Sequence, residues 1–400
     1  MKILFVLTQS LDSPSGLGRY GPLARAVAEM NHEVELIALH YNWSHLPRKS
    51  FMDSNVAVSY VGQMHVRKEG PRKLYYKPVR FMLVSIASTL RLARAVYRSD
   101  ADLIQLCKPQ PYNVLAARLG NRKRPIYCDC DDYEAETNLF SSKWQKTIVR
   151  YFEDGVVNDI TGLTVNTHFS QQRYSEMGFP EDRIVYVPNG VERRRFDGAA
   201  LPSKDWLDRL QMEGIDLESP IIMYVGTLGL HSHPLDLLLK AFQQVIHQVP
   251  DAQLVLIGGG EDYDALKQLS GELGIDSRTF FLGRQPPADI SHYLSHATVT
   301  VDPVYDDLIA RARSPLKVLE SMVMGIPVVT GDVGDRRQML KDGKAGVLVQ
   351  PGSSQALADG ISMVLLDHQF RWQLAGEAAA DRERWFWDSL VQDFIKIYDL

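Results

Sequence analysis

Apolar runs of strand length recur through the first half of the chain, at 3–7, 34–39, 56–61, 103–107, 126–130, 163–166 and 184–187. Helix-patterned stretches such as 20–30 and 81–97 lie between most of them. Continuous apolar strands separated by helices predict a parallel sheet covered on both faces. The pattern then starts again, with strand-like runs at 221–225, 254–257, 280–282, 299–301, 328–330 and 347–349. Helical stretches at 235–249, 263–272, 315–324, 356–366 and 371–384 separate these. Each half therefore reads as a Rossmann-like α/β layer structure. The join falls after the turn-rich Pro188-Asn189-Gly190-Val191, in a charged stretch containing Pro202 and Gly214, and predicts a boundary near residue 200. The expected division is 1–200, 201–384, and a terminal aromatic helix at 385–400.

Length and composition agree with two cores: 400 residues, 45% hydrophobic and 23% charged, exceed what one core organises. A net charge of -5 gives no general reason to expect nucleic acid. Cys107, Cys128 and Cys130 cannot form a disulfide framework and fall in or beside apolar runs, which fits a reducing cytoplasm. Cys128-Asp129-Cys130 lacks a second ligand pair at useful spacing, so no metal is expected there. The first eight residues read as a strand rather than a signal peptide, and Phe81 to Leu90 is about half the ~20 residues that span a bilayer.

Ligands in open α/β sheets sit beyond the carboxyl ends of the strands, so chemistry is sought in the strand-to-helix loops. After the strand ending at Val301 come Ser314 as an expected N-cap and Pro315 at the first helical position, then Leu316, Lys317 and Glu320. A helix start with free N–H groups and a nearby Lys suits an anion, and Glu320, one turn on, suits ribose hydroxyls. Spacing alone leaves a second reading open, a capped helix with a surface Lys–Glu pair worth ~0.5 kcal/mol at most.

Ser314-Pro315-x-Lys317-x-x-Glu320, followed by Gly325-Ile326-Pro327-Val328-Val329, resembles the donor-binding signature of the GT-B-fold retaining glycosyltransferases of family GT4. Val187-Pro188-Asn189-Gly190-Val191 resembles the family's interdomain segment, and Tyr224-Val225-Gly226-Thr227-Leu228 its first C-domain strand and loop. Leu256-Ile257-Gly258-Gly259-Gly260 is similar to its next strand end, and Phe281-Leu282-Gly283-Arg284 to its nucleobase-side loop. The resemblance implies two Rossmann-like domains facing each other across a cleft, with the C-terminal helix crossing back to the N-terminal domain. It implies retaining transfer of a sugar from a nucleoside diphosphate, without an obligatory metal or other cofactor. It also implies that Glu320 binds the ribose, that the backbone from Arg313 to Leu316 contacts sugar and diphosphate, and that Gly16 and Gly18 border the donor phosphate. Apart from the resemblance, Gly16 and Gly18, between the first strand and its helix, allow close backbone approach to a ligand or simply make a turn.

Two positions depart from the family pattern. Ala312 stands where a second Glu is usual, eight residues before Glu320, and Thr227 stands where an Arg is usual. Leu230-His231-Ser232-His233 occupies the region of a customary Lys. Lys317, Arg311, Arg313 and His231 are the cations near enough in sequence to restore that charge.

Asp129-Cys130-Asp131-Asp132-Tyr133-Glu134 packs four acids into six positions at a strand end. Mutual repulsion raises a carboxylate pKa unless cations offset it, which suits Asp131 to proton transfer or hydroxyl binding on the acceptor side; a solvated acidic loop is the alternative. Lys108 ends the preceding strand. Residues 66–98 carry nine Lys or Arg against Glu69 alone, interleaved with Tyr75, Tyr76, Phe81 and Met82. That composition suits peripheral contact with an anionic inner membrane face, or a solvated helix face.

The sequence thus predicts a glycosyltransferase using a nucleotide sugar and a carbohydrate, lipid-linked or polysaccharide acceptor. Two alternatives stand: a sugar-nucleotide epimerase of the same fold, and a non-catalytic sugar-nucleotide-binding partner. A dinucleotide oxidoreductase is disfavoured, since neither half has GxGxxG followed by an acid.

Overall fold

The computed structural model describes residues 1–69, 72–140, 142–196 and 210–399. Two compact units are present, Met1–Gly190 with Trp387–Leu400, and Val191–Phe386. The boundary expected near residue 200, with Pro202, lies outside the described residues, and the change of unit comes earlier, between Gly190 and Val191. The reason is packing: Val191 and Phe196 are buried in the second unit's core. At the other end the change comes after Phe386 rather than before residue 385. Trp385 and Phe386 join the second core, while Trp387, Leu390, Val391, Phe394, Ile397 and Tyr398 join the first.

The first unit is built on an eight-stranded sheet. In chain order its strands are β1 (Lys2–Leu7), β2 (Glu33–His40), β3 (Ser50–Asp53), β4 (Val56–Gln63), then β7 (Leu103–Cys107), β8 (Ile126–Cys130), β9 (Gly162–Val165) and β10 (Ile184–Tyr186). Their order in space is β10-β9-β8-β7-β1-β2-β4-β3. Every pairing is parallel except β3 on β4, an antiparallel edge that the apolar pattern did not reveal because Ser50–Asp53 is only four residues long, with apolar Phe51 and Met52 between Ser50 and Asp53. Between β4 and the helix Pro78–Arg98 a hairpin intervenes, β5 (Val66–Glu69) with β6 (Arg72–Tyr75). Two apolar clusters cover the two faces of the sheet. One holds Leu92, Val114 and Val156 from the flanking helices, and the other holds Leu23 and Val27 with the C-terminal aromatic residues.

The second unit carries β11 (Ile221–Val225), β12 (Gln253–Ile257), β13 (Thr279–Gly283), β14 (Val299–Asp302), β15 (Val328–Gly331) and β16 (Val347–Val349), all parallel, in the order β13-β12-β11-β14-β15-β16. Its strands are nearly all buried, as sheets covered on both faces require. In each unit the strand order reverses beside the first strand, between β1 and β7 and between β11 and β14. Chain connections leave in opposite directions there and open a crevice at the carboxyl ends, the usual ligand place of such sheets.

Candidate functional site

In the second unit the switch point is occupied by buried charge. β14 ends at Asp302, which receives hydrogen bonds from Lys317 Nζ at 3.1 Å and Arg336 Nε at 2.9 Å and, from the neighbouring strand, from Thr330 Oγ1 at 3.3 Å. Burial alone would raise the Asp302 pKa; the pull of Lys317 and Arg336 outweighs it and holds the carboxyl well below the usual range. The pKa of Lys317 is lowered as well, here with burial as the cause, acting against the pull of Asp302; Arg313 and Arg336 push the same way as burial. One carboxylate is thus shared between two cations, the buried Arg336 and the half-buried Lys317, and an anion seated beside them would meet both.

Lys317 is delivered by the helix Leu316–Val323. Its N-cap is Pro315, in extended conformation (φ -76°, ψ 100°), which corrects the expectation of Ser314 as N-cap and Pro315 as first helical residue. A short helix, Leu308–Arg311, capped by Asp307 accepting from the Ala310 N–H at 2.7 Å, ends at Ala312 and leaves Ser314 buried in the link. Lys317 and Glu320 line one small cavity of about 10 Å³ with Met223, Asp302, Ser321 and Val328. They do not pair with each other. Glu320 instead meets Arg195 at 3.2 Å, and burial pushes its carboxyl pKa up against that arginine's pull. A surface Lys–Glu pair is therefore not what this helix presents.

The loop after β11 closes over the lysine. A Cβ on Gly226 would come within 2.8 Å of the Tyr224 hydroxyl and 3.1 Å of Lys317 Cε, and one on Gly258 would lie 1.8 Å from the Gly226 carbonyl oxygen. Only glycine fits where these loops pack backbone on backbone. Thr227 accepts the Tyr224 hydroxyl proton through its carbonyl at 2.9 Å, and the Lys317 ammonium lies 5.0 Å from the centre of the Tyr224 ring. Arg313 donates to the Ser232 carbonyl at 2.8 Å and lies 3.4 Å from His233 Nε2. His233 is pushed well below its ordinary pKa by burial, with Lys317 and Arg313 adding to the effect, so its ring is neutral. Arg284 is exposed and lies along Gly259, at the end of β13. Arg311 is exposed and bound to Asp306 at 2.7 and 2.9 Å, away from this group.

The first unit has its own buried charge cluster. Gly16 and Gly18 belong to a π-helical turn, Gly16–Tyr20, running directly into the helix Gly21–Glu29, rather than to an open loop. A Cβ on Gly16 would sit 2.3 Å from the Ser10 carbonyl oxygen, so close packing of the chain on itself already requires this glycine. Arg19, next along, is fully buried and forks onto Asp129 with two bonds of 2.7 Å. It also donates to the carbonyls of Val187 and Pro188 and to Asn189 Oδ1, pinning the segment that leaves the sheet. Lys108, at the end of β7 with φ at 82°, reaches Asp131 at 2.7 Å, Asp132 at 3.2 Å and Glu134 at 2.6 Å. Burial would lower its pKa, but the three carboxylates more than offset that and raise it. Asp131 is raised to about 6, by burial first and by Asp132 and Asp129 next, against the pull of Lys108. Behind them Glu153 accepts from the N–H groups of Glu134 and Ala135 and is pushed up to about 8 by burial and by Glu134. The carboxylates of Asp131, Asp132 and Glu134 lie close enough together to hold a metal ion, and the Lys108 ammonium is the cation that meets all three. Cys107, Cys128 and Cys130 are free and buried.

Of the residues singled out by sequence, Gly226, Thr227, Arg313, Ser314, Pro315, Leu316, Lys317 and Glu320 gather at the carboxyl ends of β11 and β14, with Arg284 along Gly259 nearby. Asp131, Gly16 and Gly18 lie at the carboxyl side of the first sheet. Sequence reasoning missed Asp302, Arg336 and Arg195, and placed Tyr224 and His233 in their loops without giving them a role. Asp302 carried a signal, as the acid that directly follows an apolar strand; Arg336 and Arg195 carried none, because they arrive from distant segments.

Residues 15–190 match the family model for a glycosyl transferase 4-like domain, and residues 209–381 the model for glycosyl transferases group 1. An uncharacterized glycosyltransferase of Methanocaldococcus jannaschii is 26% identical over 243 residues, 60% of this chain and 59% of that protein. The chain thus spans little more than half the length of the first curated relatives it matches. The phosphatidyl-myo-inositol mannosyltransferase of Mycolicibacterium smegmatis is 21% identical over 401 residues, 100% of this chain and 94% of that one. Among solved structures, Anabaena HepE in complex with UDP and glucose superposes with a TM-score of 0.72 at 18% identity, covering 100% of this chain and 99% of that one. Two parallel-sheet units of this fold, each matched by its own family model, place the chain in the GT-B-fold group 1 glycosyl transferases, family GT4.

Proposed function

We propose that the protein is a retaining, hexosyl-type glycosyltransferase that takes a sugar from a nucleoside diphosphate and joins it to a carbohydrate, lipid-linked or polysaccharide acceptor in cell-surface glycan synthesis. One observation carries this reading: Lys317 and Arg336 share the single carboxylate of Asp302 at the carboxyl end of β14. A diphosphate seated beside them would meet both. HepE, of the same fold, was solved with UDP and glucose, which supports a nucleotide occupant.

In the transfer, the bond from the anomeric carbon to the diphosphate oxygen breaks and its electron pair leaves with the diphosphate. The acceptor hydroxyl oxygen bonds to that carbon on the face the diphosphate vacates, and its proton is lost. Charge gathers on the leaving oxygens, and Lys317, with the N–H groups opening the helix Leu316–Val323, meets it without reorganising. Because these cations are side chains, the reading requires no metal or other cofactor. Glu320 accepts the ribose hydroxyls, and the backbone from Arg313 to Leu316 with Gly226 and Thr227 lies along sugar and diphosphate. Arg284 flanks the base, and in the first unit Asp131 is the group to bind or deprotonate an acceptor hydroxyl.

The test is a calorimetric titration of the full chain with UDP, GDP and ADP, followed by turnover of the matching sugar nucleotides with the product anomer read by NMR. Binding of one diphosphate and a product of retained configuration is expected. No binding of any of them overturns the reading; binding with turnover but no acceptor points to an epimerase, and binding without turnover to a non-catalytic partner.

A further inference from the structure

The helix Pro78–Arg98 is inside out along its first half. The apolar side chains Val79, Met82, Leu83, Ile86 and Leu90 are spaced at three, one, three and four residues, which sets them on one face, and they are 53% to 69% exposed. The inward side at the same level carries hydroxyls. Ser85 donates to the Phe81 carbonyl at 2.7 Å, Ser88 to the Gln63 carbonyl at 2.6 Å and Thr89 to the Ser85 carbonyl at 2.9 Å. The fully buried residues begin only at Ser88, so the early turns are held by few core contacts while their best apolar residues face outward.

Charge surrounds the stripe with one sign. Lys77, Arg80, Arg91, Arg94 and Arg98 flank it, the helix has no acid, and exposed Tyr75 and Tyr97 stand at its two ends, in a protein whose net charge is -5. A second outward stripe, Trp144, Ile148 and Tyr151, lies in the same helical layer, on the helix Lys143–Gly155, which packs on Pro111–Gly120 as does Pro78–Arg98. Among the described residues no helix is long and apolar enough to cross a membrane. An apolar stripe bordered by cations and aromatic rings matches the boundary of an anionic bilayer: acyl chains accept the stripe, headgroup phosphates the arginines, and the tyrosines sit at the level between.

We propose that the helix Pro78–Arg98 lies flat in the surface of an anionic lipid bilayer, with Val79, Met82, Leu83, Ile86 and Leu90 inserted and the stripe of Trp144, Ile148 and Tyr151 as a second contact. The occupant is a bilayer rather than a protein because the arginines line the stripe without a single interspersed acid, whereas a protein partner is ordinarily met by mixed charge. This surface narrows the basic segment read from residues 66–98 to the helix, and it stands independently of the nucleotide reading.

The experiment is co-sedimentation of the full chain with vesicles of phosphatidylcholine alone and of phosphatidylcholine with phosphatidylglycerol, at low and high salt. Binding is expected only to the anionic vesicles, weakening as salt screens the charges. Arg94→Glu with Arg98→Glu should weaken it by at least thirty-fold, since each basic residue near the surface is worth roughly five-fold. Leu83→Glu with Ile86→Glu should abolish it, with melting temperature and nucleotide affinity unchanged because neither residue touches the core or the β14 site. Equal sedimentation with both vesicle types, or variants that bind like the parent, overturns the proposal. So does a dimer in light scattering that the Leu83→Glu, Ile86→Glu variant converts to monomer, which would make a second copy the occupant.

Discussion

Two lysines, Lys108 buried and Lys317 half-buried, sit at the carboxyl ends of the two sheets and are treated in opposite ways. Lys108 faces three carboxylates within 3.2 Å, and its pKa rises although it is buried. Lys317 has one carboxylate at 3.1 Å, shares it with Arg336, and its pKa falls. In the first cluster burial, with neighbouring carboxylates adding to it, pushes Asp131 and Glu153 up. In the second, burial, with Lys317 and Arg313 adding to it, keeps His233 neutral. The number of carboxylates around each lysine, more than the presence of a lysine, sets the two ends apart: three around Lys108, and one around Lys317 that Arg336 shares.

The comparison breaks most visibly if its shared carboxylate is removed. Asp302→Ala leaves the buried Arg336 and the half-buried Lys317 without their anion, and should cost about 3–5 kcal/mol of unfolding free energy in denaturant titration; a variant as stable as the parent would show that this carboxylate does not hold the two cations. Lys317→Ala keeps the Asp302–Arg336 pair, so the fold should hold while kcat falls by roughly a hundred- to a thousand-fold and nucleoside diphosphate affinity falls by a smaller factor. Next in size, Glu320→Ala should weaken nucleoside diphosphate binding by roughly ten-fold or somewhat more, the loss of hydrogen bonds to a charged acceptor, read by calorimetry. For the first cluster the effect is one of pH. A carboxyl raised from 3.8 to about 6 is protonated below that range and ionised above it, so transfer that uses ionised Asp131 should rise as pH passes through about 6. Asp131→Asn should remove that limb from the kcat profile. The same raised pKa means that Asp131 stabilises the fold most fully below 3.8, and that this contribution is lost as pH rises through about 6. Arg311→Ala should change neither kcat nor the melting temperature, since its partner Asp306 is as exposed as it is.

Much of the fold was legible because burial on both faces writes strands as unbroken apolar runs. Leu103–Cys107, Ile126–Cys130 and Ile221–Val225 have the same bounds in sequence and structure. What was missed is what burial does not write. The edge strand Ser50–Asp53 is short and the hairpin strands Val66–Glu69 and Arg72–Tyr75 are mostly charged, and both are satisfied by local pairing. The N-cap slipped by one residue because the short helix Leu308–Arg311 draws Ser314 into a buried link. In the site, the residues on the helix after β14 could be named from spacing, whereas their partners could not.

Two α/β units, their buried parallel strands, and the position of Lys317 and Glu320 near the start of one helix follow from the chain alone, because hydrophobic periodicity is a local property. Tertiary structure alone decided what those residues face. Asp302, Arg336 and Arg195 are brought to them across 15, 19 and 125 residues of chain, and Lys108 meets its carboxylates across 23 to 26. Charge balance in a buried site is a sum over neighbours in space, and only the folded chain sets which neighbours enter that sum.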